Sequence, residues 1–320
     1  MSEDVSIEQV YDLLRTHDKF LILTHKSPDG DTLGCASALT RALLAMGKQA
    51  RFENSDVIPE KYHFLYEDIP VLQFEPQYII AVDVADTNLL GDALSVYADK
   101  VDLCIDHHVS NKRYARYLHL NADDGAAALT LYRIFTTCGV EITKPMANDL
   151  YTGLTTDTGC FRYTNANAEA YRAAAGLIEL GADNGKINEL MFETKPLSYY
   201  KLVQETLKSM RMFCDSKVAV FKVTQDMLNR TGATEDQCDA ICAMSRTIEG
   251  VEVGITMKQK KDGHYKFSLR TRDRLDASEI CKLLGGGGHV RAAGCDAGED
   301  EEESLQTMLQ FISQKLGTAI

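Results

Sequence analysis

The sequence predicts an α/β protein in which a doubly wound, mostly parallel sheet is joined by a helical linker to a smaller α/β domain. Three observations carry this. Short apolar runs such as Phe20-Leu21-Ile22-Leu23-Thr24 and Tyr78-Ile79-Ile80-Ala81-Val82 read as strands covered on both faces. Stretches with apolar residues at helical spacing alternate with them. Beyond Asp215 the character changes to β-rich segments, two of them flanking an Asp262-Gly263 hairpin turn. At roughly 150 residues per domain, 320 residues make about two.

The first strand leads through a polar loop into a helix with Leu33, Ala36, Leu39, Leu43 and Met46 on one side and Gly47 as its stop. Tyr78 to Val82 is the second strand and Val101 to Ile105 the third. A helix over Ala126 to Cys138 ends before Gly139. Another opens near Lys144-Pro145, since proline suits a first helical turn. A further helix, Ala168 to Leu180, ends at Gly181. The stretch from Lys195-Pro196 to Met212 reads as one helix connecting the domains, with Leu202, Val203, Leu207 and Met210 on one side. Strands are expected over 218–223, 251–257 and 265–270. The resulting division is a first domain over 1–193, a connecting helix over 194–214 and a second domain over 215–320.

Hydrophobic residues make up 45% and charged residues 25%, as in ordinary globular proteins, which excludes disordered and fibrous classes. No apolar run reaches the ~20 residues that span a bilayer, and the acidic start MSEDVSIEQV has no secretory h-region. The net charge of −13 argues against indiscriminate binding of long or duplex nucleic acid, while leaving room for a local basic patch that holds a short anion. Nine cysteines without a CxxC pair read as reduced thiols of a cytoplasmic protein. Homodimerisation is left open.

The informative pattern is where acids and histidines fall. The first strand runs into His25-Lys26-Ser27-Pro28-Asp29-Gly30-Asp31, the second into Asp83, and the third into Asp106-His107-His108. Loops at the carboxyl ends of parallel strands converge on one crevice. Asp157, after a helix, could reach the same place. His25, Asp29, Asp31, Asp83, His107 and Asp157 are therefore candidate metal ligands, with Asp106 and His108 beside them. Asp-Gly-Asp alone reads most often as a turn or a helix N-cap, but four such elements in order are hard to obtain by accident. Carboxylates packed so closely would repel one another without cations. Oxygen and imidazole donors without thiolate suit manganese or a similar divalent ion better than structural zinc. Six ligands fit two ions sharing a carboxylate.

These residues carry a resemblance. His25-x-x-Pro28-Asp29-Gly30-Asp31-x-x-Gly34, Asp83, Asp106-His107-His108 and Asp157 resemble the four motifs of the DHH phosphoesterases, in their usual order. Gly285-Gly286-Gly287-Gly288-His289-x-x-Ala292-Ala293-Gly294 resembles the glycine-rich signature of the DHH-associated C-terminal domain. Length and layout resemble the NrnA-like branch of bifunctional oligoribonucleases and pAp phosphatases. The resemblance implies a metal-binding first domain and a substrate-binding second one. It implies two Mn2+ ions, with Mg2+ or Co2+ as substitutes. His25 and Asp29 would hold one, Asp31, His107 and Asp157 the other, with Asp83 bridging. It makes His108 and Asp106 catalytic, the first contacting the scissile phosphate or polarising the site, the second orienting its neighbours. Two positions depart from the pattern. Cys35 stands where serine is usual. Asp124-Gly125-Ala126-Ala127-Ala128-Leu129-Thr130 replaces a Ser/Thr-rich stretch with a glutamate.

In the second domain, four consecutive glycines leave backbone N–H groups free to form a nest for phosphate. Gly286, Gly287, Gly288 and His289 are candidate substrate contacts, as is Arg270, since arginine binds phosphate bidentately. Residues 258–274 hold seven Lys and Arg against two Asp; a solvated hairpin face accounts for most of the lysines. The expected function is manganese-dependent hydrolysis of short single-stranded RNA or linear dinucleotides to mononucleotides, with 3′-phosphoadenosine 5′-phosphate (pAp) as a further substrate. The alternatives are a cyclic di-AMP phosphodiesterase and a non-catalytic nucleotide-binding regulator.

Overall fold

Wholly apolar β-runs bury both faces, so the first half of the chain builds its sheet from parallel strands tied by crossovers. The computed structural model describes residues 2–320, apart from the side chains of Asp236, Asp239 and His289. It divides into two compact units, the first ending at Thr194 and the second beginning at Lys195.

The first unit contains β1 (Glu3–Asp4), α1 (Ile7–Thr16), β2 (Phe20–Leu23), α2 (Gly30–Ala45), β3 (Ala50–Glu53), β4 (Tyr78–Val82), β5 (Leu103–Asp106), β6 (Tyr117–Leu120), α3 (Ala127–Thr137), α4 (Lys144–Asp157), α5 (Ala168–Glu179) and α6 (Asn184–Asn188). Its six strands are all parallel, in the order β1-β6-β5-β4-β2-β3. Alternate residues serve two cores. Phe20, Ile22, Ile80, Val82, Leu103 and Ile105 pack under the helices. Leu21, Leu23, Ile79, Ala81 and Cys104 face Leu90 and Leu94 from a segment of short 3-10 turns, with Val101 and Ala115 from the loops that flank β5. The chain leaves β2 to form β3 on one side and then β4 on the other. The carboxyl ends of β2 and β4 thus frame the topological switch point, where open α/β sheets bind ligands.

Helix α2 is buried around most of its circumference, because α4 crosses it without room for side chains. A Cβ on Gly34 would collide with the backbone carbonyl of Asp149. One on Gly153 would lie 2.6 Å from Asp31 Oδ1 and 2.7 Å from Ala128 Cβ. This close crossing sets the last residue of α4, Asp157, beside the first turn of α2.

The second unit contains α7 (Leu197–Lys208), β7 (Arg211–Phe213), β8 (Val218–Val223), α8 (Gln225–Thr231), α9 (Cys238–Met244), β9 (Val253–Gln259), β10 (Tyr265–Thr271), α10 (Ala277–Lys282), β11 (Gly287–His289), β12 (Ala292–Asp296) and α11 (Glu301–Leu316). The sheet order is β11-β12-β10-β9-β8-β7, with β8 and β9 the parallel pair. One face packs on α10 and α11 through Val253, Ile255, Phe267 and Leu269. The other takes Leu202 of α7, Leu228 of α8 and Ile241 of α9 against Phe221 and Val223.

Three expectations need correction. The helix expected to reach Met212 stops at Lys208, and Arg211–Phe213 pairs antiparallel with β8. The turn that follows uses left-handed backbone at Cys214, Asp215 and Ser216, so no glycine marks it in the sequence. Helix α7 packs within the second unit through Leu202. The third strand runs Leu103–Asp106, which makes Asp106 its last residue.

Replacing Gly34 with alanine should lower stability by about 1–3 kcal/mol, the usual range for overpacking a tight contact. Urea unfolding measures this; a variant as stable as the parent would contradict so close a helix crossing.

Candidate metal centre

A strand end, a helix start and a helix end supply the acids. Asp29 is the N-cap of α2, its Oδ1 accepting from the N–H groups of Asp31 and Thr32 at 3.0 and 3.2 Å. Thr32 Oγ1 donates to the carbonyl of Val82 at 3.1 Å, which ties this turn to the end of β4. The next residue, Asp83, has left-handed backbone (φ 59°), a strained state that persists where surroundings over-determine it. Asp31 accepts from the N–H groups of Ala127 and Ala128 at 2.6 and 2.9 Å. Helix α3 has no side-chain cap of its own, so a carboxylate from α2 satisfies its first donors. Asp157 sits at the carboxyl end of α4, where the helix dipole disfavours negative charge.

The imidazoles have set tautomers. His25 Nδ1–H donates to the Lys26 carbonyl at 2.8 Å, and His107 Nδ1–H to the Asp124 carbonyl at 3.1 Å. A carbonyl only accepts, so each neutral ring carries its lone pair on Nε2. His25 Nε2 lies 3.6 Å from both Asp29 Oδ1 and Asp83 Oδ2. His107 Nε2 lies 3.4 Å from Asp83 Oδ1, 3.5 Å from Asp157 Oδ2 and 3.9 Å from Asp31 Oδ2. Asp83 thus turns one oxygen toward each ring.

The donor atoms of His25, Asp29 and Asp83 all lie within 4.8 Å of one another, as do those of Asp31, His107 and Asp157. Asp83 Oδ1 and His107 Nε2 are buried without a hydrogen-bond partner. A buried carboxylate oxygen and a buried imidazole nitrogen left bare are costly, and a divalent cation would satisfy both. Oxygen and nitrogen donors without sulfur fit Mn2+ or Mg2+.

Electrostatics agrees. Burial opposes charge on His25, but Asp29 and Asp83 outweigh it and push its pKa up to about 11. Burial opposes charge on His107 too, and Asp83, Asp31 and Asp157 push it up to about 10. The carboxyls of Asp31 and Asp157 are held above their ordinary range, first by burial. Asp83 then repels Asp31, and both Asp31 and Asp83 repel Asp157. Protons stand in here for the positive charge the cluster demands.

Asp106 is wholly buried and organises the neighbouring turn. Its Oδ1 accepts from the His107 N–H and from His108 Nδ1, both at 2.8 Å, and its Oδ2 from Asn111 Nδ2 at 2.6 Å. Burial would raise its pKa, but the His108 bond holds it below the ordinary value. His108 is the most open ring of the three, its side chain 34% exposed against 16% for His25 and 11% for His107. Asn111 and the Asp124 carbonyl escape a motif reading, because one acts from the loop between β5 and β6 and the other through its backbone.

Of the second-domain candidates, Arg270 is half-buried on β10 and forms no ion pair with a carboxylate among the described residues. The glycine run is not a loop nest. The N–H groups of Gly285 and Gly286 donate to the Lys282 and Cys281 carbonyls and close α10, while Gly287 and Gly288 belong to edge strand β11. A Cβ on Gly286 would collide with Cys295. One on Gly288 (φ 146°) would lie 2.6 Å from Ala293 Cα, yet a Cβ on Gly287 meets nothing within 4 Å. His289 pairs through its backbone with Ala292, itself paired with Arg270; its side chain lies outside the described residues.

Comparison with known proteins places this geometry. Residues 19–176 match the model of the DHH family, N-terminal domain, and residues 215–318 that of the DHHA1 domain. The bifunctional oligoribonuclease and PAP phosphatase NrnA of Thermus thermophilus is 30% identical over 93% of this chain and 90% of its own length. The protein of that name from Bacillus subtilis is 22% identical over 88% of this chain and 91% of its own. Among solved structures, an exopolyphosphatase-related protein from Bacteroides fragilis superposes with a TM-score of 0.87 at 22% identity, covering 97% of this chain and 95% of that one. Exonuclease RecJ bound to manganese gives 0.51 at 16% identity, covering 97% and 95%.

A pH dependence follows. Because the folded pKa values of His25 and His107 lie above the ordinary 6.5, their protonated forms stabilise the metal-free protein. That contribution is complete below pH 6.5 and is lost as pH rises toward about 10 and 11. A cation needs the same rings neutral. The Tm difference between manganese-loaded and EDTA-treated protein should therefore widen from pH 6 to pH 9, with protons released on metal binding in calorimetry. A difference that narrows over this range would contradict the assignment.

Proposed function

The chain belongs to the DHH family, and from that premise we propose that it is a two-metal phosphoesterase hydrolysing short oligonucleotides to mononucleotides, with pAp as a further substrate. The observation that carries this is the two three-residue donor groups, His25-Asp29-Asp83 and Asp31-His107-Asp157, joined where Asp83 Oδ1 lies 3.4 Å from His107 Nε2, both atoms buried and bare. The names of the relatives support the substrate class.

His25, Asp29 and Asp83 would hold one divalent cation, and Asp31, His107 and Asp157 the other, with Asp83 shared. When bound, such a pair stabilises charge on the attacking and leaving oxygens of an in-line displacement and eases ionisation of a water. The protein's own groups do the rest. The Lys26 and Asp124 carbonyls keep two Nε2 lone pairs turned to the carboxylates. Asp106 holds the Nδ1–H of His108. Burial would lower the His108 pKa, but that bond and the charge of Asp83 raise it, so the ring presents a proton to a phosphate oxygen. Asp106 is thus a positioning residue and His108 the group that touches substrate.

In the DHHA1 domain, an arginine without a carboxylate partner suits a substrate phosphate. Gly287, whose missing side chain serves no packing purpose, leaves room for close approach of a ligand. His289 would complete this reader. Reading a phosphate with so few groups favours very short chains. The preferred ion is manganese. Nine cysteines without a disulfide suit a reducing cytoplasm, and among the described residues no helix is long and apolar enough to cross a membrane.

Asp83→Ala should lower kcat by about three orders of magnitude or more, the loss that follows removal of several kcal/mol of metal-borne stabilisation. Product time courses on labelled RNA 2-mer, 5-mer and 24-mer with manganese test the substrate class. Cleavage of the 2-mer and 5-mer well ahead of the 24-mer is expected. Preference for the 24-mer, or for cyclic over linear dinucleotides, would overturn it.

A further inference from the structure

Directly after Asp157 the chain doubles back. Gly159, Cys160 and Phe161 stand in left-handed backbone one after another, with φ of 58°, 57° and 60°. Such a conformation in non-glycine residues persists where the surroundings over-determine it, and here they do. The Cys160 N–H donates to the Thr155 carbonyl at 2.7 Å, and the Phe161 N–H to Thr158 Oγ1 at 3.2 Å. The Phe161 ring lies against Tyr151 and Tyr171, with centroids 6.2 and 5.2 Å away, and the Tyr171 hydroxyl donates to the Phe161 carbonyl at 3.0 Å. This braced turn carries Asn165 back to the end of α4, eight positions after Asp157.

There Asn165 Nδ2 donates to two backbone carbonyls, that of Gly125 at 2.9 Å and that of Asp157 at 3.2 Å. A carbonyl only accepts, so the amide nitrogen must face both. The amide oxygen is buried without a partner, so the donors alone hold this side chain in place. Gly125 belongs to the turn that opens α3, and that turn offers three consecutive carbonyls, each taken by a side chain. Asn167 Nδ2 donates to Asp123 at 2.9 Å, His107 Nδ1 to Asp124 at 3.1 Å, and Asn165 to Gly125. A Cβ on Gly125 would collide with the backbone carbonyl of Asn165, so the two segments meet with no side chain between them. The N–H groups that follow, of Ala127 and Ala128, hold Asp31. Asp31, His107 and Asp157 are thus all placed by backbone that Asn165 ties together. His25, Asp29 and Asp83 are placed otherwise, by the Lys26 carbonyl, the first turn of α2 and the end of β4.

We propose that Asn165 is a positioning residue for one metal site alone, the one formed by Asp31, His107 and Asp157. Its amide touches none of the donor atoms. It fixes the end of α4, which carries Asp157, against the turn that carries the partners of His107 and Asp31, and so sets the spacing of all three donors. Groups that orient ligands in this indirect way govern metal affinity. The inference rests on the two-metal reading above and adds that the two sites have separate supports, so that one can be weakened without the other. Asn165→Asp is the sharpest change, because a carboxylate of the same shape brings no donor and sets its charge against two carbonyl oxygens.

The test is calorimetric titration of Mn2+ into the metal-free full chain, with electron paramagnetic resonance at two equivalents. In Asn165→Asp one of the two affinities should fall by about tenfold to a hundredfold while the other stays as in the parent. The resonance should change from that of a coupled pair to that of an isolated ion. Asn165→Ala, which only deletes the donors, should show the same selectivity and keeps the test open if the aspartate variant does not fold. Asn188→Ala is the control. It removes bonds to Thr155 and Tyr151 of the same helix without reaching the backbone of a ligand, so it should lower the Tm in EDTA and leave both affinities unchanged. Equal loss at both sites, or an Asn165 variant no different from Asn188→Ala, would overturn the proposal. A parent that binds a single ion would instead sink the two-metal reading, and the role of Asn165 would then stand or fall on whether Asn165→Asp weakens that ion.

Discussion

Repulsion among carboxylates governs the first unit. Asp29, Asp31, Asp83 and Asp157 come from separate parts of the chain into one buried pocket, where like charges are poorly screened. The protein opposes this repulsion with local devices. Two of the acids sit in the first turn of α2, where the dipole favours them, and the N–H groups that begin α3 are aimed at Asp31. Asp157 has the opposite situation, at the negative end of α4. The balance is left incomplete, as the bare Asp83 oxygen and the raised carboxyls of Asp31 and Asp157 record. A site that must receive cations has to be left short of positive charge, and the fold stores that deficit by packing α2 on α4 at glycines.

The ligand candidates were legible because parallel sheets print their geometry in the sequence. Buried strands appear as apolar runs, and the polar residue just past each run must lie at the carboxyl edge. His25, Asp83 and His107 could therefore be grouped before any contact was known. Asp157 was legible only as a residue near a helix end; its approach to Asp31 depends on the α2–α4 crossing, whose signal, Gly34 facing Asp149 and Gly153 facing Asp31, is visible only once the two helices are paired. Strands β1, β3 and β6 are short and partly polar, and β7 follows a turn made without glycine, so neither periodicity nor punctuation announced them.

The glycine run shows how composition can suggest a device that the fold does not build. Four glycines in a row suggest a flexible anion nest. In the fold, Gly285 closes a helix, and Gly286 and Gly288 let an edge strand lie against β12 without side chains. Gly285 and Gly287 both have open space where a side chain would be, but Gly285 uses left-handed backbone (φ 71°), so Gly287 alone of the four answers to no structural demand. The lysines of the neighbouring hairpin differ in what the fold gives them. Dispersed in sequence, they resemble ordinary solvated charge, because a sequence does not show which ones find carboxylates. Glu235 and Asp296 take two of them and leave two unpaired beside a cavity.

The departure at Asp124 to Thr130 gains a physical meaning from these contacts. Where a Ser/Thr-rich stretch is usual, this chain has alanines, so polar support for the centre would seem to be missing. The support is present, supplied by backbone. The Asp124 carbonyl fixes His107, and the Ala127 and Ala128 N–H groups hold Asp31. The Asp124 side chain faces Thr130 at 2.8 Å and Arg133 at 2.8 Å, which braces the turn that presents its carbonyl. Backbone donors survive any side-chain exchange that preserves the start of α3. The alanines therefore leave the placement of Asp31 and His107 intact and remove only side-chain hydrogen-bonding groups around it.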